Sequence, residues 1–266
     1  MTEVTGPVGT ARPFGEALGR LRGAQKSAKG VSLYSRFLNR PAGRYLAAGA
    51  YTAGLTPNQV TAVSAVFSFT GVAALIFLPP SWWAGALVWL ALAVGFAFDS
   101  ADGQLARLRG GGSPAGEWLD HVVDCAKVTA LHCAVLIAFY RHPEHFGTEA
   151  AGWLLVPLVF LFATLVTFFG GLLTEQLKPK PAPGGAPPAP STLRALALVP
   201  VDHGVFCLVF VVLGGGTAFA WAYGVLGAVA LLYLPLFLVK WFRELNRAGS
   251  PGTQRAATAP ARTAGV

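Results

Sequence analysis

A long uncharged run limits what this chain can fold into. Between Tyr45 and Phe98 the sequence contains no aspartate, glutamate, lysine or arginine. A helix that crosses a bilayer needs about 20 apolar residues, so this run has room for two such helices. Across the whole chain 54% of the 266 residues are hydrophobic and only 12% are charged. This composition is too apolar for an ordinary soluble domain and predicts an all-α polytopic membrane protein.

Apolar runs and their boundaries predict six transmembrane helices. Thr56 and Pro57 suit the N-cap and the first position of the first span. Trp82 and Trp83 suit the membrane interface at the start of the second span. The fifth and sixth spans are the least clearly separated, because almost nothing polar lies between them. The predicted spans are residues 57–78, 82–108, 114–140, 151–175, 201–220 and 222–243.

The segment before the first span, residues 31–50, predicts an amphipathic interfacial helix. Arg36, Arg40 and Arg44 recur every four residues, while apolar side chains such as Phe37 fall on a different face. A helix of this kind suits the surface of an anionic leaflet. A basic linker is the alternative interpretation of the same residues.

The other segments flank or interrupt the membrane domain. Residues 178–190 are rich in proline and cannot form a regular helix, so they predict a flexible or extended linker. The six-helix domain is expected to cover residues 51–245. Residues 1–30 and 246–266 are expected to be disordered tails.

Four aspartates lie where the predicted second and third spans meet. Asp99 and Asp102 are three residues apart, and Asp120 and Asp124 are four apart, so each pair can share a helical face. The intervening sequence RLRGGGSPAG should break the helix and bring the two pairs together from antiparallel helices. Clustered carboxylates favour a hard cation such as Mg²⁺ or Mn²⁺, which proteins often hold together with substrate phosphates. The alternative is a set of unrelated aspartates at helix ends.

The distribution of basic residues predicts the orientation of the chain. All but two of the 20 lysines and arginines fall on one side of the six predicted spans, the exceptions being Lys127 and Arg141. By the positive-inside rule both chain ends and the aspartate cluster then face the cytoplasm, with the protein in the plasma membrane. The net charge of +8 is interpreted as a match to an anionic membrane surface, and no nucleic-acid partner is expected.

The aspartates complete a longer motif. The pattern D-x2-D-G-x2-A-R-x8-G-x3-D-x3-D is met at every position, and it resembles the signature of the CDP-alcohol phosphatidyltransferase family. The resemblance implies a six-helix integral membrane enzyme with two metal ions. Such enzymes move a phosphoalcohol from a CDP-alcohol to an acceptor hydroxyl and release CMP. The motif positions are Asp99, Asp102, Gly103, Ala106, Arg107, Gly116, Asp120 and Asp124.

The resemblance also implies roles for the four carboxylates. Asp99, Asp102 and Asp120 are expected to be ligands of Mg²⁺ or Mn²⁺. Asp124 is expected to help bind the second metal ion. It is also the candidate general base that takes the proton of the acceptor hydroxyl, which a carboxylate can do if the metals make the alcohol more acidic.

A second group of residues is expected to bind the donor. Gly103 leaves room for the cytidine, and Arg107 offers a bidentate fork to phosphate oxygens. A positive anchor at the membrane surface is the alternative for Arg107. Ser113 follows three glycines and could donate to the nucleotide. The resemblance also places Asn58 and Thr61 near the donor, although the sequence alone indicates only the start of a helix there. The expected CDP-alcohol-binding residues are therefore Asn58, Thr61, Gly103, Arg107 and Ser113.

Three residues are assigned to the acceptor: Lys127, Arg194 and Asp202. Lys127 shares a helical face with Asp124, so it meets either an acceptor phosphate or only Asp124 itself. Asp202 precedes His203 at the start of the predicted fifth span and could line the acceptor pocket. For His203 a capping or interfacial role is favoured.

The favoured function is transfer of a phosphatidyl group from CDP-diacylglycerol to an acceptor alcohol in phospholipid biosynthesis, a reaction of the EC 2.7.8 type. The sequence SRFLNRPAGR followed by TPNQVT also resembles the membrane domain of enzymes that join CDP-inositol to inositol phosphate. A soluble CDP-alcohol donor with an inositol or sugar phosphate acceptor is therefore an alternative. A non-catalytic membrane protein that binds divalent ions is another. Besides these substrates, membrane lipid and a second copy of the chain in a homodimer are the expected partners.

Overall fold

The structure is a computed structural model of the 266-residue chain, and it describes residues 14–23, 31–179 and 191–248. These residues form helices joined by short turns, and no strand occurs among them. The α-helices are α1 Phe14–Gly23, α2 Arg40–Thr52, α3 Pro57–Phe77, α4 Trp82–Leu108, α5 Pro114–Arg141, α6 Pro143–Phe146, α7 Leu155–Leu177, α8 Thr192–Ala197, α9 His203–Leu208 and α10 Thr217–Ala248.

Five of these helices are long and apolar enough to cross a membrane. The prediction of an all-α, multi-pass membrane protein is thereby confirmed. Four of the predicted spans match helices within a few residues at each end. The five candidate spans are α3, α4, α5, residues Ala151–Leu177 and α10.

The predicted fifth span differs from the expected continuous helix. It consists of α9 followed by a 3₁₀ segment, Val209–Gly215, and the whole apolar stretch His203–Gly215 is shorter than the other spans. At about 1.5 Å per α-helical and about 2.0 Å per 3₁₀ residue it reaches about 23 Å, less than the hydrocarbon core of about 30 Å.

The predicted boundary between the fifth and sixth spans, at residue 221, was wrong. The chain breaks at Gly216, whose φ of +54° is favourable only for glycine, and a Cβ there would collide with the His145 carbonyl oxygen. The last helix, α10, therefore starts at Thr217 and continues to Ala248. An apolar run of this kind gives no hydropathy signal at such a break.

The disordered N-terminal tail expected for residues 1–30 was wrong for residues 14–23, which form α1. Ala17 and Leu21 are buried against α2 and α4, and Arg20 donates from Nη2 to the Leu108 carbonyl oxygen over 3.3 Å. Burial of these two apolar side chains against other helices, and not a long apolar run of its own, holds this short helix in place. The other residues of this tail, the linker residues 180–190 and the tail from residue 249 onward lie outside the described residues.

The predicted amphipathic segment, residues 31–50, is helical from residue 33 onward. A π-helical turn, Ser35–Asn39, leads into α2. Phe37 and Tyr45 are largely exposed, whereas Gly43 is buried against α4, where a Cβ would come within 2.7 Å of Ser100 Oγ. This segment therefore packs on α4 through small residues and presents aromatic side chains outward.

Helices α3 and α4 make the most extensive contact among the described helices. A capping box starts α3, in which Thr56 Oγ1 accepts from the Gln59 N–H and Gln59 Oε1 accepts from the Thr56 N–H. Further along, Ser64 Oγ donates to the Gly95 carbonyl oxygen over 2.7 Å. A Cβ at Gly95 would collide with Ser68 Oγ, so this glycine sets the distance between the helices.

The main core lies toward the C-terminal half of α5 and is built largely of aromatic rings. Phe139, Phe146, Phe219 and Tyr223 are all fully buried and contact one another with centroid separations of 5.2 to 6.2 Å. His132 lies at its edge, and its Nδ1 is 2.5 Å from Tyr223 Oη. This aromatic core fixes α5 against α10 and leaves the first half of α5 free to carry polar groups.

Candidate active site

Three carboxylates converge where α4 ends and α5 begins. Asp99 comes from α4, and Asp120 and Asp124 come from α5. One ligand oxygen from each lies within 4.8 Å of the others, and all three side chains are partly exposed. The turn that joins the helices contains Gly110 and Gly111 with φ of +98° and +132°, values that favour glycine. This turn lets the two acidic faces meet.

Asp102 lies beside this group in a different setting. It is only 4% exposed, and its Oδ2 accepts from Thr61 Oγ1 over 2.7 Å. Its other oxygen accepts from the Gly103 N–H, and the carboxylate interacts electrostatically with Asp120 and Asp99. Thr61, which was expected to bind the donor, is itself buried and contacts Asp102. Its contact orients a carboxylate of the motif.

Lys127 lies inside the acidic group. Its Nζ is 2.6 Å from Asp99 Oδ1 and 3.0 Å from Asp124 Oδ1, and it also donates to Ser64 Oγ over 3.0 Å. Pairing with Asp124, one of the two readings of the sequence, is present in the structure. The contacts with Asp99 and Ser64 come from two other helices, so spacing along α5 could not reveal them.

The glycine and arginine of the motif border an open space. A Cβ at Gly103 would have one neighbour within 4 Å, Arg107 Nη1 at 3.5 Å, so the fold itself does not require glycine there. Arg107 interacts electrostatically with Asp102 and with Arg40 on α2. Burial, and then Arg36, lower the pKa of Arg40 from its usual value. Arg40 was not among the expected site residues, although its four-residue periodicity marked it.

Asn58 and Ser113 meet across the starts of α3 and α5. A Cβ at Gly116 would lie 3.0 Å from Asn58 Oδ1 and 3.2 Å from Ser113 Oγ, so this motif glycine has a packing reason. Ser113 caps α5 by accepting from the Gly116 N–H over 3.0 Å. Both expected donor-binding side chains are exposed, next to the turn between α4 and α5.

Arg194 and Asp202 line a separate cavity of about 1160 Å³ between α7, α8 and α10. Arg194 is exposed, whereas Asp202 is buried and fully engaged. Its Oδ2 accepts from Ser35 Oγ over 2.6 Å and also from Ser32, and its Oδ1 accepts from the Gly204 N–H over 2.7 Å. Asp202 thus caps α9 and ties it to the segment before α2. The same cavity is lined by Lys178, Lys240, Glu175 and Glu244.

His203 interacts with both the acidic group and Asp202, which lines this cavity. It interacts electrostatically with Asp99 and Lys127 on one side and with Asp202 on the other, and its ring meets Phe96 edge-on at 4.9 Å. Lys127 does not line the cavity, so the three residues assigned to the acceptor are not brought together. Two of them share the cavity, and the third belongs to the acidic group.

The donor set of the acidic group suits a hard divalent cation. Its three gathered ligands are carboxylate oxygens, with no cysteine or histidine among them. Oxygen-only sites favour Mg²⁺ or Mn²⁺ over softer metals. The residues present therefore fit the metal that the motif implies.

Two curated proteins are similar in sequence to part of this chain. A phosphatidylinositol phosphate synthase of Corynebacterium glutamicum is 39% identical over 95 residues, which are 34% of this chain and 41% of that protein. One of Mycobacteroides abscessus is 43% identical over 82 residues, which are 30% of this chain and 34% of that protein. The chain thus matches less than half the length of either relative.

A solved structure shares the fold. The crystal structure of Mycobacterium tuberculosis phosphatidylinositol phosphate synthase with CDP-DAG bound aligns over 81% of this chain and 96% of that one. The TM-score is 0.51 and the sequence identity 20%. The family model "CDP-alcohol phosphatidyltransferase" matches residues 54–233, which include the whole acidic motif and most of the helical bundle. The chain belongs to the CDP-alcohol phosphatidyltransferase family.

Proposed function

We propose that this protein is a metal-dependent transferase that moves a phosphatidyl group from CDP-diacylglycerol to an acceptor hydroxyl in phospholipid synthesis. The observation that carries the proposal is the convergence of Asp99, Asp120 and Asp124 beside the open space at Gly103. A protein that only bound divalent ions would need neither this space nor the nearby arginines. The two relatives are named as phosphatidylinositol phosphate synthases, so an inositol phosphate is the proposed acceptor.

The carboxylates would hold two divalent ions. Asp99, Asp120 and Asp124 supply the gathered oxygens, and Asp102, oriented by Thr61, completes the motif. Bound Mg²⁺ or Mn²⁺ would neutralise the donor pyrophosphate and make the acceptor hydroxyl more acidic. Without a cation, carboxylates this close together repel one another. Activity is therefore expected to require the metal.

The chain's own groups would orient the donor. Arg107 lies near Asp102, and Arg40 lies near Arg107. A pyrophosphate can accept from planar guanidinium groups placed in this way. The space at Gly103 would take the cytidine, with Asn58 and Ser113 as polar contacts at its edge.

Asp124 is the proposed general base. It takes the proton of the acceptor hydroxyl while the new bond forms between the acceptor oxygen and the β-phosphorus of the donor. The bond between that phosphorus and the bridging oxygen breaks, and CMP leaves with the electron pair. A positioned base of this kind contributes about 10²–10⁴-fold to the rate.

The cavity lined by Arg194 and Asp202 is the proposed acceptor site. Lys178, Arg194 and Lys240 line it, and His203 lies between it and Asp99. Glu175 and Glu244 also line this cavity, and Glu244 pairs with both lysines. The guanidinium of Arg194 would bind the phosphate of a phosphorylated polyol, a group that serine lacks. Asp202 would contribute by holding α9 in place, because its oxygens already accept bonds from the protein.

The test is CMP release by the purified protein with every pairing of two donors and four acceptors. The donors are CDP-diacylglycerol and CDP-inositol, and the acceptors are inositol phosphate, inositol, glycerol phosphate and serine. We expect release with CDP-diacylglycerol and inositol phosphate, in Mg²⁺ or Mn²⁺ only. Asp99→Asn should abolish CMP release. Glu149→Gln should not, because Glu149 is an exposed carboxylate between α6 and α7, outside the acidic group.

Other outcomes separate the alternatives. Release only with CDP-inositol would favour the soluble donor, to which the sequence around SRFLNRPAGR points. Full release in excess chelator would contradict the metal-dependent reaction. Metal binding without CMP release from any pair would favour a non-catalytic ion binder.

We also propose that the protein lies in the plasma membrane, with both chain ends and the acidic group facing the cytoplasm. We further propose that it forms a homodimer. The basic residues support this orientation. With Cys125, Cys133 and Cys207 replaced by alanine, Thr192→Cys should be labelled only from the cytoplasmic side and Glu149→Cys only from outside. Labelling of both from one side would contradict it. Cross-linking in native membranes tests the dimer.

A further inference from the structure

Lys127 is an unusual component of the acidic group because its ammonium is fully engaged within it. An ammonium has three N–H donors. Here they meet Asp99 Oδ1 at 2.6 Å, Asp124 Oδ1 at 3.0 Å and Ser64 Oγ at 3.0 Å. The side chain is only 11% exposed. Each bond reaches a different helix, since Asp99 lies on α4, Asp124 on α5 and Ser64 on α3.

The partner on α3 is oriented for this contact. Ser64 Oγ donates its single proton to the Gly95 carbonyl oxygen over 2.7 Å, so its lone pairs are available to accept from Lys127. The serine therefore joins α3, α4 and the ammonium in one network. A lysine placed to grip a soluble substrate would leave donors free toward the cavity, whereas Lys127 does not line that cavity.

The ammonium also shares its ligands with the proposed metal. Asp99 and Asp124 are two of the three carboxylates whose oxygens gather within 4.8 Å. A divalent ion bound there needs lone pairs on these carboxylates, and its charge repels the ammonium. Lys127 and the metal ion are thus competitors for one set of oxygens.

We propose that Lys127 is a built-in counter-ion, which holds Asp99 and Asp124 together before a divalent ion binds and gives up at least one of these contacts when it does. The proposal rests on the metal site of the proposed function. It makes Lys127 a positioning residue rather than a group that touches the acceptor. Two consequences follow: Lys127 weakens the binding of the metal, and it stabilises the metal-free protein.

The first measurement is Mn²⁺ binding to the purified full-length protein in nanodiscs, without nucleotide, followed by electron paramagnetic resonance of free Mn²⁺. Lys127→Met keeps the length and removes the charge. It should bind Mn²⁺ more tightly than the wild type by about tenfold or more, in the usual range of coupling between two linked cations. Arg243→Met is the matched control, because Arg243 is an exposed basic residue near the end of α10, outside the acidic group, and this variant should bind Mn²⁺ as tightly as the wild type.

The second measurement is thermal unfolding of the same proteins. In chelator Lys127→Met should melt at a lower temperature than the wild type, because its carboxylates lack the counter-ion. Saturating Mn²⁺ should remove this difference. A purely structural lysine would leave the variant less stable in both conditions.

The two measurements together either support or overturn the role of Lys127 as a counter-ion. Tighter Mn²⁺ binding together with metal-restored stability supports the proposal. Unchanged or weaker Mn²⁺ binding by Lys127→Met overturns it, and so does a stability loss that Mn²⁺ does not restore. If Lys127→Met does not fold, Lys127→Gln, which keeps an N–H donor for Asp99, is judged by the same two criteria. Equal Mn²⁺ binding by the wild type and Asp99→Asn would instead contradict the metal site of the proposed function.

Discussion

The two ends of the helical bundle are built in opposite ways. At the aromatic core, around Phe139 and Tyr223, large rings fill the space and the buried polar atom of His132 has a partner. At the acidic end, small residues such as Ala47 and Ala101 bring the backbones together, and charged side chains occupy the space that remains. The aromatic end therefore stabilises the fold, and the acidic end keeps room for charged groups and a ligand.

Glycines follow the same division. Near the middle of α4, Ser68 occupies the space where a side chain of residue 95 would lie, so glycine at this position allows close packing. About two turns later Gly103 borders open space, so its missing side chain does not serve packing. Two glycines on one helix thus have different physical roles: Gly95 allows close packing, and Gly103 leaves space open. The following changes test whether the two ends are as separate as this comparison suggests.

The largest effect is expected for Asp124→Asn at the acidic end. The amide keeps the size of the side chain but loses its basicity, so CMP release should fall about 10²–10⁴-fold if Asp124 is the general base. Donor binding should persist, because Asp99 and Asp120 can still hold a metal ion. Steady-state kinetics beside donor binding measures both, with Glu149→Gln as the control. Near-normal turnover would refute the role of Asp124 as base.

A stability effect of similar size is expected at the aromatic end. Phe139→Ala removes a fully buried ring and should lower the free energy of unfolding by about 3–5 kcal/mol. The neighbouring Tyr140 is 73% exposed, so Tyr140→Ala should change it by less than about 0.5 kcal/mol. Denaturant unfolding in mixed micelles compares the two. A loss of donor affinity in folded Phe139→Ala protein would show that the two ends are coupled.

The smallest effects come from the paired glycines of α4. Gly95→Ala forces a methyl group against Ser68 and should cost about 1–3 kcal/mol of stability. Gly103→Ala should leave stability within about 0.5 kcal/mol. It should instead weaken donor binding, because the methyl group enters the space proposed for the cytidine. Thermal unfolding and donor titration of both variants separate these effects. A Gly103→Ala protein that is destabilised but binds the donor normally would show that this glycine also serves packing.

The sequence was enough to predict that the two acidic pairs would meet. Helical spacing gave each pair a common face, and the glycines between Arg109 and Ser113 predicted the turn. Helical spacing also allowed the pairing of Lys127 with Asp124. The contacts made by α3 could not be predicted, because they depend on how α3 is rotated against α4 and α5. The bonds of Thr61 to Asp102 and of Ser64 to Lys127 are contacts between residues 41 and 63 positions apart.

Two parts of the fold also escaped prediction, for different reasons. The break at Gly216 depends on a positive φ and on the approach of the His145 carbonyl, neither of which alters hydropathy. Helix α1 is short and polar, and it is stabilised by burying Ala17 and Leu21 on other helices. Such tertiary stabilisation of a weak helix is common and has no signal in local composition.

The bond from Ser35 to Asp202 has a consequence for how the chain is made. It joins residues 167 positions apart, so the ribosome completes the second partner long after the first. At a synthesis rate of about 5–20 residues per second, that interval lasts about 8–33 seconds. During it, the segment that carries Arg40 toward Arg107 lacks its anchor on α9. The carboxylates and the contact of α2 with α4 can therefore assemble early, because Gln104 of α4 already donates to the Arg40 carbonyl oxygen. The segment that precedes Arg40 gains its link to α9 only when the fifth apolar segment has been made.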